Sequence, residues 1–150
     1  MCRLENYLKK ELIICGLKAS DKDEAFKKIS VEIEKSSGVD SGEIVRLINE
    51  RESYGTTGIG SGIAIPHARI SSSKEIVICI ASLDQCVEYG SLDGEDVRLI
   101  FMLIVPEGKN LVYLKLLSQI SLMCNDKTVR TELLKAESEE EIINIIRSMD

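Results

Sequence analysis

Tryptophan is absent from this 150-residue chain, and phenylalanine occurs only twice. A core must then be built from isoleucine, leucine and valine, and a hydrophobic content of 44% is enough to build one. Basic charge is in deficit: 19 Lys and Arg face 25 Asp and Glu, a net charge of −6. Without a basic patch, nucleic acid is not an expected partner. No C-x-x-C pair occurs, and the five cysteines (Cys2, Cys15, Cys79, Cys86 and Cys124) are odd in number. Three of them sit in apolar runs, as buried thiols of a reducing cytoplasm do, and none has the electropositive setting of a nucleophilic thiolate. The first ten residues lack the apolar stretch of a signal peptide. The longest uncharged run near the middle, 99–106, is far too short to span a bilayer. The expectation is a soluble cytoplasmic protein, one domain over residues 1–150, with no direct membrane insertion.

Histidine and proline are scarce too, and the scarcity has a location. The one histidine, His67, follows Pro66, one of two prolines, in a stretch over 51–69 that also holds four of the ten glycines. The rest of the chain reads as strands mixed with helices, without regular alternation, the strands running together in the middle. A short helix or turn over 4–10 leads into a strand over 11–17. Ser20 and Asp21 offer an N-cap for a helix through Lys35 that Ser36-Ser-Gly38 ends, and Asp40 with Glu43 makes a capping-box pattern for a second helix to Arg51 or Glu52. A strand over 62–66, stopped by the proline, is followed by a polar loop at 71–74 and a strand over 75–82. Residues 84–96 read as irregular. The nearly continuous apolar run 97–105 reads as a central strand covered on both faces. Helices follow: one over 110–124 with Tyr113, Leu117, Ile120 and Cys124 on one face, a short one after Asp126, and one after Ser138 and Glu141. Together these predict an α/β chain, a three-layer α/β/α sandwich with a mixed sheet.

The glycines exclude two familiar phosphate loops. Gly58-Ile-Gly60-Ser-Gly62 follows a helix and precedes a strand, the reverse of the dinucleotide fingerprint, and no Gly-Lys-Ser/Thr follows for a Walker loop. What remains is a glycine-rich connection that lets main-chain N–H groups, with Thr56 and Thr57, approach an anion held at His67. A lone histidine is commonly structural. A catalytic metal would want further ligands that no second histidine or nearby acidic cluster supplies, and no G-x-S-x-G serine is present. A histidine working alone, as nucleophile or base, is the functional alternative, with no cofactor expected. Arg51 is either a solvated helix-end charge or a phosphate ligand; Thr56 and Thr57 either donate to an anion or cap the turn.

The run Gly55-Thr-Thr-Gly-Ile-Gly-Ser-Gly-Ile-Ala-Ile-Pro-His67, preceded by Arg51-Glu52, resembles the active-site signature of a phosphotransferase-system enzyme IIA domain of the fructose/mannitol and nitrogen-regulatory class. The resemblance extends over essentially the whole chain. It implies that His67 accepts a phosphoryl group from the phosphohistidine of HPr, or of its nitrogen-branch counterpart, and passes it to a cysteine of a IIB domain. It implies attack through Nε2, with Nδ1–H held by a backbone carbonyl, and it places Arg51 at the family's active-site arginine. The family's second active-site histidine corresponds to Tyr113, followed by Leu114; tyrosine keeps one hydrogen-bond donor but carries no positive charge at neutral pH, and as a residue of the Leu117/Ile120 face it reads equally as a core-edge aromatic. Ile59 and Ile63 are either docking residues around the loop or core. With no IIB or IIC segment in the chain, the expected acceptor lies on another chain. The alternative is a regulatory module whose phosphorylation state controls partner proteins without sugar transfer; a third reading is a homologue that transfers no phosphoryl group.

Overall fold

The computed structural model describes residues 3–149. Two short 3-10 turns, Leu4–Tyr7 and Lys10–Leu12, lead into strand β1 (Ile13–Leu17), so the first strand is shorter than its apolar run. Helix α1 (Lys22–Ser37) starts where the Asp21 carboxylate accepts the Glu24 N–H at 2.8 Å and ends at Gly38, which adopts a left-handed φ of 79°. Helix α2 (Ser41–Glu52) starts in the same way: the Asp40 carboxylate accepts the Glu43 N–H at 2.9 Å. The glycine-rich stretch then departs from the expected strand over 62–66. It folds as a hairpin of β2 (Gly58–Gly60) and β3 (Ile63–Ala64), interrupted at Ile65-Pro66 and resumed as β4 (His67–Arg69). Pro66 breaks the strand without ending it, because β3 and β4 both lie parallel to the same neighbour, β6 (Val97–Val105).

The sheet has six strands in the order β1-β5-β6-β3-β2, with β4 continuing β3's path beside β6. β5 (Val77–Val87) pairs antiparallel with β6 and parallel with β1, so the sheet is mixed. β5 runs five residues beyond the expected strand end, into the stretch that read as irregular, because its polar residues 84–86 lie exposed. The chain closes with α3 (Asn110–Asn125), α4 (Lys127–Lys135) and α5 (Glu139–Met149).

Alternation along β6 sorts the core into two layers. Ile100, Met102 and Ile104 face Phe26, Ile29, Ile44 and Ile48 of α1 and α2. Leu99, Phe101, Leu103 and Val105 face Leu116 and Ile120 of α3 and Ile142 and Ile146 of α5. A strand buried on both faces has no polar alternation to show, and this is the physical origin of the unbroken apolar run. The fold is the three-layer α/β/α sandwich its sequence predicts.

Candidate functional site

β4 and the C-terminal end of α2 build one cleft. His67 and Arg69 share a face of β4 by the period-two rule, while Ala68 between them packs into the α1–α2 layer. The cleft, about 320 Å³, is lined by His67 and Arg69, by Leu47, Glu50 and Arg51 of α2, by Tyr54 just beyond it, and by Tyr113 of α3. Tyr113, distant in sequence, thus joins His67 and Arg51 of the 51–69 stretch.

The His67 ring is fixed by one contact. Its Nδ1 lies 2.7 Å from the Ile65 carbonyl oxygen. A carbonyl only accepts, so Nδ1 carries the proton and Nε2 keeps the lone pair in the neutral ring. Pro66 makes this geometry: it holds its own φ and keeps Ile65 extended, so the carbonyl two residues back meets the ring. The Ile65 peptide is anchored in turn, its N–H donating to Thr57 O at 2.9 Å, and the Pro66 carbonyl accepts Leu103 N–H at 3.0 Å. Burial lowers the His67 pKa below its ordinary 6.5; the Ile65 hydrogen bond opposes this, and the Arg51 guanidinium adds to it. Arg51 Nη1 also donates to Gly55 O at 3.0 Å, which ties the arginine to the start of the signature loop. Tyr113 meets His67 edge-on, ring centroids 5.5 Å apart at 61°. Burial pushes its hydroxyl up to about 12, so it is a neutral donor.

The threonines face elsewhere. Thr56 Oγ1 accepts the Gly58 N–H at 3.1 Å and so caps the turn. Thr57 is buried: its hydroxyl is hydrogen-bonded to Glu52 Oε1, and it lies 2.7 Å from the Tyr89 hydroxyl. Glu52 also accepts from Tyr89 at 3.0 Å and from Lys22 Nζ at 3.2 Å, and its side chain is 7% exposed. Lys22 Nζ lies 4.2 Å from the Tyr89 ring centroid. This four-residue polar core holds the loop from behind. Neither threonine lines the cleft.

The signature glycines also serve packing. A Cβ on Gly58 would stand 2.2 Å from Ser91 Oγ, and one on Gly60 would stand 2.9 Å from Asp93 Oδ2. Asp93 accepts the N–H of Ser61, the hairpin-tip residue with a φ of 58°. The Ser61 N–H is thus engaged with the 91–95 loop, and the Gly58 N–H with Thr56, whereas the sequence suggests main-chain N–H groups open to an anion. Ile63 is fully buried, which removes it from the docking surface; Ile59 at the hairpin is 42% exposed.

Sequence reading missed Glu52, Tyr89 and Arg69. Arg69 was legible in principle, since any strand carrying His67 brings residue 69 to the same face. Tyr89 was hidden in a stretch without periodicity. Of the cysteines, Cys79 and Cys124 are buried, with burial pushing both thiols up to about 12; Cys86 is exposed, and Cys2 lies outside the described residues.

The fold and site together define an α/β domain that presents one neutral imidazole in an open cleft lined also by two arginines. The chain belongs to the family described as "Phosphoenolpyruvate-dependent sugar phosphotransferase system, EIIA 2", whose profile matches residues 6–149. It is 34% identical over 149 residues to the PTS system fructose-specific EIIABC component of Bacillus subtilis, covering 99% of this chain and 24% of that protein's length. It is 32% identical over 145 residues to the nitrogen regulatory protein of Klebsiella oxytoca, covering 96% of this chain and 90% of that one. Among solved structures, the nitrogen regulatory protein IIA-Ntr of Neisseria meningitidis superposes with a TM-score of 0.91 at 28% identity, over 95% of this chain and 98% of that one. The IIA mannitol protein of Escherichia coli shares the fold, with a TM-score of 0.77 at 20% identity, over 93% of this chain and 98% of that one. No helix among the described residues is long and apolar enough to cross a membrane.

Proposed function

We propose that the protein is a phosphocarrier that accepts a phosphoryl group on Nε2 of His67 from phospho-HPr or a nitrogen-branch counterpart, and passes it to a IIB cysteine in the cytoplasm. The observation that carries this reading is the Nδ1–Ile65 contact, which leaves Nε2 as the free nucleophile. As the Nε2–P bond forms, the donor's N–P bond breaks and its electron pair returns to the donor imidazole. The Nδ1 proton stays on His67. With both nitrogens substituted, the ring gains positive charge, which the Ile65 carbonyl dipole offsets and which makes the ring a good leaving group for onward transfer. Arg51 holds phosphoryl oxygens and offsets charge in the transition state, and Tyr113 supplies a neutral hydroxyl at the cleft wall. Thr56 and Thr57 hold the loop's shape, and Ile59 offers an apolar contact to the partner.

A regulatory reading is favoured by a separate observation, the higher structural similarity to IIA-Ntr than to IIA mannitol. In that reading the phosphorylation state of His67 sets affinity for target proteins and no sugar is phosphorylated.

Incubation with phosphoenolpyruvate, enzyme I and HPr, or the nitrogen-branch pair, is expected to give an acid-labile, base-stable phosphoprotein, and His67→Gln to give none. Failure to label with either carrier pair overturns both readings. Chase of label onto a fructose- or mannitol-class IIB domain supports transfer to sugar, and retention on His67 supports regulation.

A further inference from the structure

A phosphoryl group on His67 brings two negative charges into the cleft at neutral pH, and Arg51 offers one positive charge with one of its N–H groups already committed to Gly55 O. The acidic residue beside it in the cleft wall, Glu50, is engaged by Arg46 at 3.8 Å. Glu43, which lies near Arg69 in the adjoining depression, is engaged by Ser72 at 3.3 Å. Arg69 lines both depressions and is exposed, and its side chain makes no ion pair or hydrogen bond among the described residues. On β4 it follows His67 by one strand repeat, and its register opposite Val105 places it one step further along β6, toward the start of α3 where Tyr113 stands.

Resting on the phosphocarrier reading above, we propose that Arg69 is the second cation of the site. It would take the outer oxygens of the phosphoryl group, with Tyr113 donating between the two arginines. Arg51 addresses the group from the α2 side and Arg69 from the strand side, so the cleft is a two-arginine oxyanion clamp around one imidazole. Against the larger effect of burial, the Arg51 and Arg69 guanidinium charges both act to lower the Tyr113 hydroxyl's pKa. Glu107 also lines the adjoining depression and is a carboxylate that would compete for Arg69.

The test uses the full chain with two probes. In the first, inorganic phosphate is titrated into unphosphorylated protein while the ring resonances of His67 and Tyr113 are followed. Arg69→Gln should weaken binding about tenfold, the scale of one charge-assisted contact, and Arg69→Lys should keep much of it. In the second, Arg69→Gln should still label on His67, but more slowly, and its phosphoprotein should hydrolyse faster once donor is removed. Thermal stability should stay at wild type, since Arg69 holds nothing in the fold. Arg69→Gln that binds phosphate, accepts label and retains it like wild type overturns the proposal. Phosphate binding that depends on Arg69, in a protein that neither carrier labels, would keep the clamp and reject the phosphocarrier reading.

Discussion

A single proton decides what His67 can do. With its pKa held below 6.5 by burial and by Arg51, the ring is neutral over the whole range above that value. The rate of phosphoryl acceptance should therefore be flat from pH 7 upward and fall only on the acid side, with a midpoint below 6.5 that matches the ring titration followed by NMR. Arg51→Gln should raise that midpoint while slowing transfer, because the arginine both disfavours ring protonation and holds the phosphoryl oxygens. The linkage to stability has the same origin. Above 6.5 the ring is neutral folded or unfolded and contributes nothing. Between 6.5 and the lower native value the unfolded chain takes the proton first, so stability declines as pH falls through that window. In His67→Gln, which has no such proton, urea midpoints should lose this part of their acid dependence.

At the scale of elements, the signature stretch is a hairpin locked from two sides. Gly58 abuts Ser91, and Gly58→Ala should cost about 1–3 kcal/mol through overpacking. Adding Ser91→Gly removes the clashing Oγ and Cβ and should restore part of the loss, a comparison that chemical denaturation reads directly. From behind, Thr57→Val leaves Tyr89 and Glu52 short of a partner in a buried setting and should cost about 1–3 kcal/mol, with slower labelling of His67 because the loop carries the Ile65 anchor. The helix ends were legible where one side chain decides them, as at Asp21, Asp40 and Gly38. The reciprocal half of each capping box was not: the Glu43 carboxylate is bonded to Ser72, and that of Glu141 takes the Glu137 N–H at 2.8 Å. Those choices depend on loops whose position no local pattern encodes. That the expected strand over 62–66 is β3 alone, with β2 before it and β4 after it, was hidden for the same reason, since it is β6 and the 91–95 loop that pair and pack this stretch.

The whole molecule divides its burial between two layers, and the sequence showed this in the unbroken apolar run of β6, which has no reason to exist in a sheet with a wet face. Phe26→Ala in the α1–α2 layer and Phe101→Ala in the α3–α5 layer should each cost about 3–5 kcal/mol. Their functional consequences should differ. The first layer supports α2 and hence Arg51, while the second supports α3 and hence Tyr113. After correction for the unfolded fraction, phosphate affinity should follow both losses, whereas the His67 titration should follow only the first. On the surface, Ile59→Ser should leave folding untouched and slow transfer from the carrier, a rate effect that rising carrier concentration overcomes. What the sequence withheld at this scale is convergence. His67 and Arg51 stand in one continuous stretch, but Tyr113 reaches His67 only because α3 packs in the layer that covers one face of β6.

The hydrogen bond between His67 and Ile65 has one more consequence. Its proton lies between a half-buried ring and a carbonyl anchored to the hairpin, away from the exchange routes of bulk water. It should give its own sharp line far downfield in the proton spectrum, where ordinary imidazole protons are lost to exchange. The line should shift when the opposite nitrogen is esterified and broaden when the anchoring peptide is loosened. The protein therefore carries a built-in spectroscopic gauge of its own charging state, readable without label, dye or radioactivity.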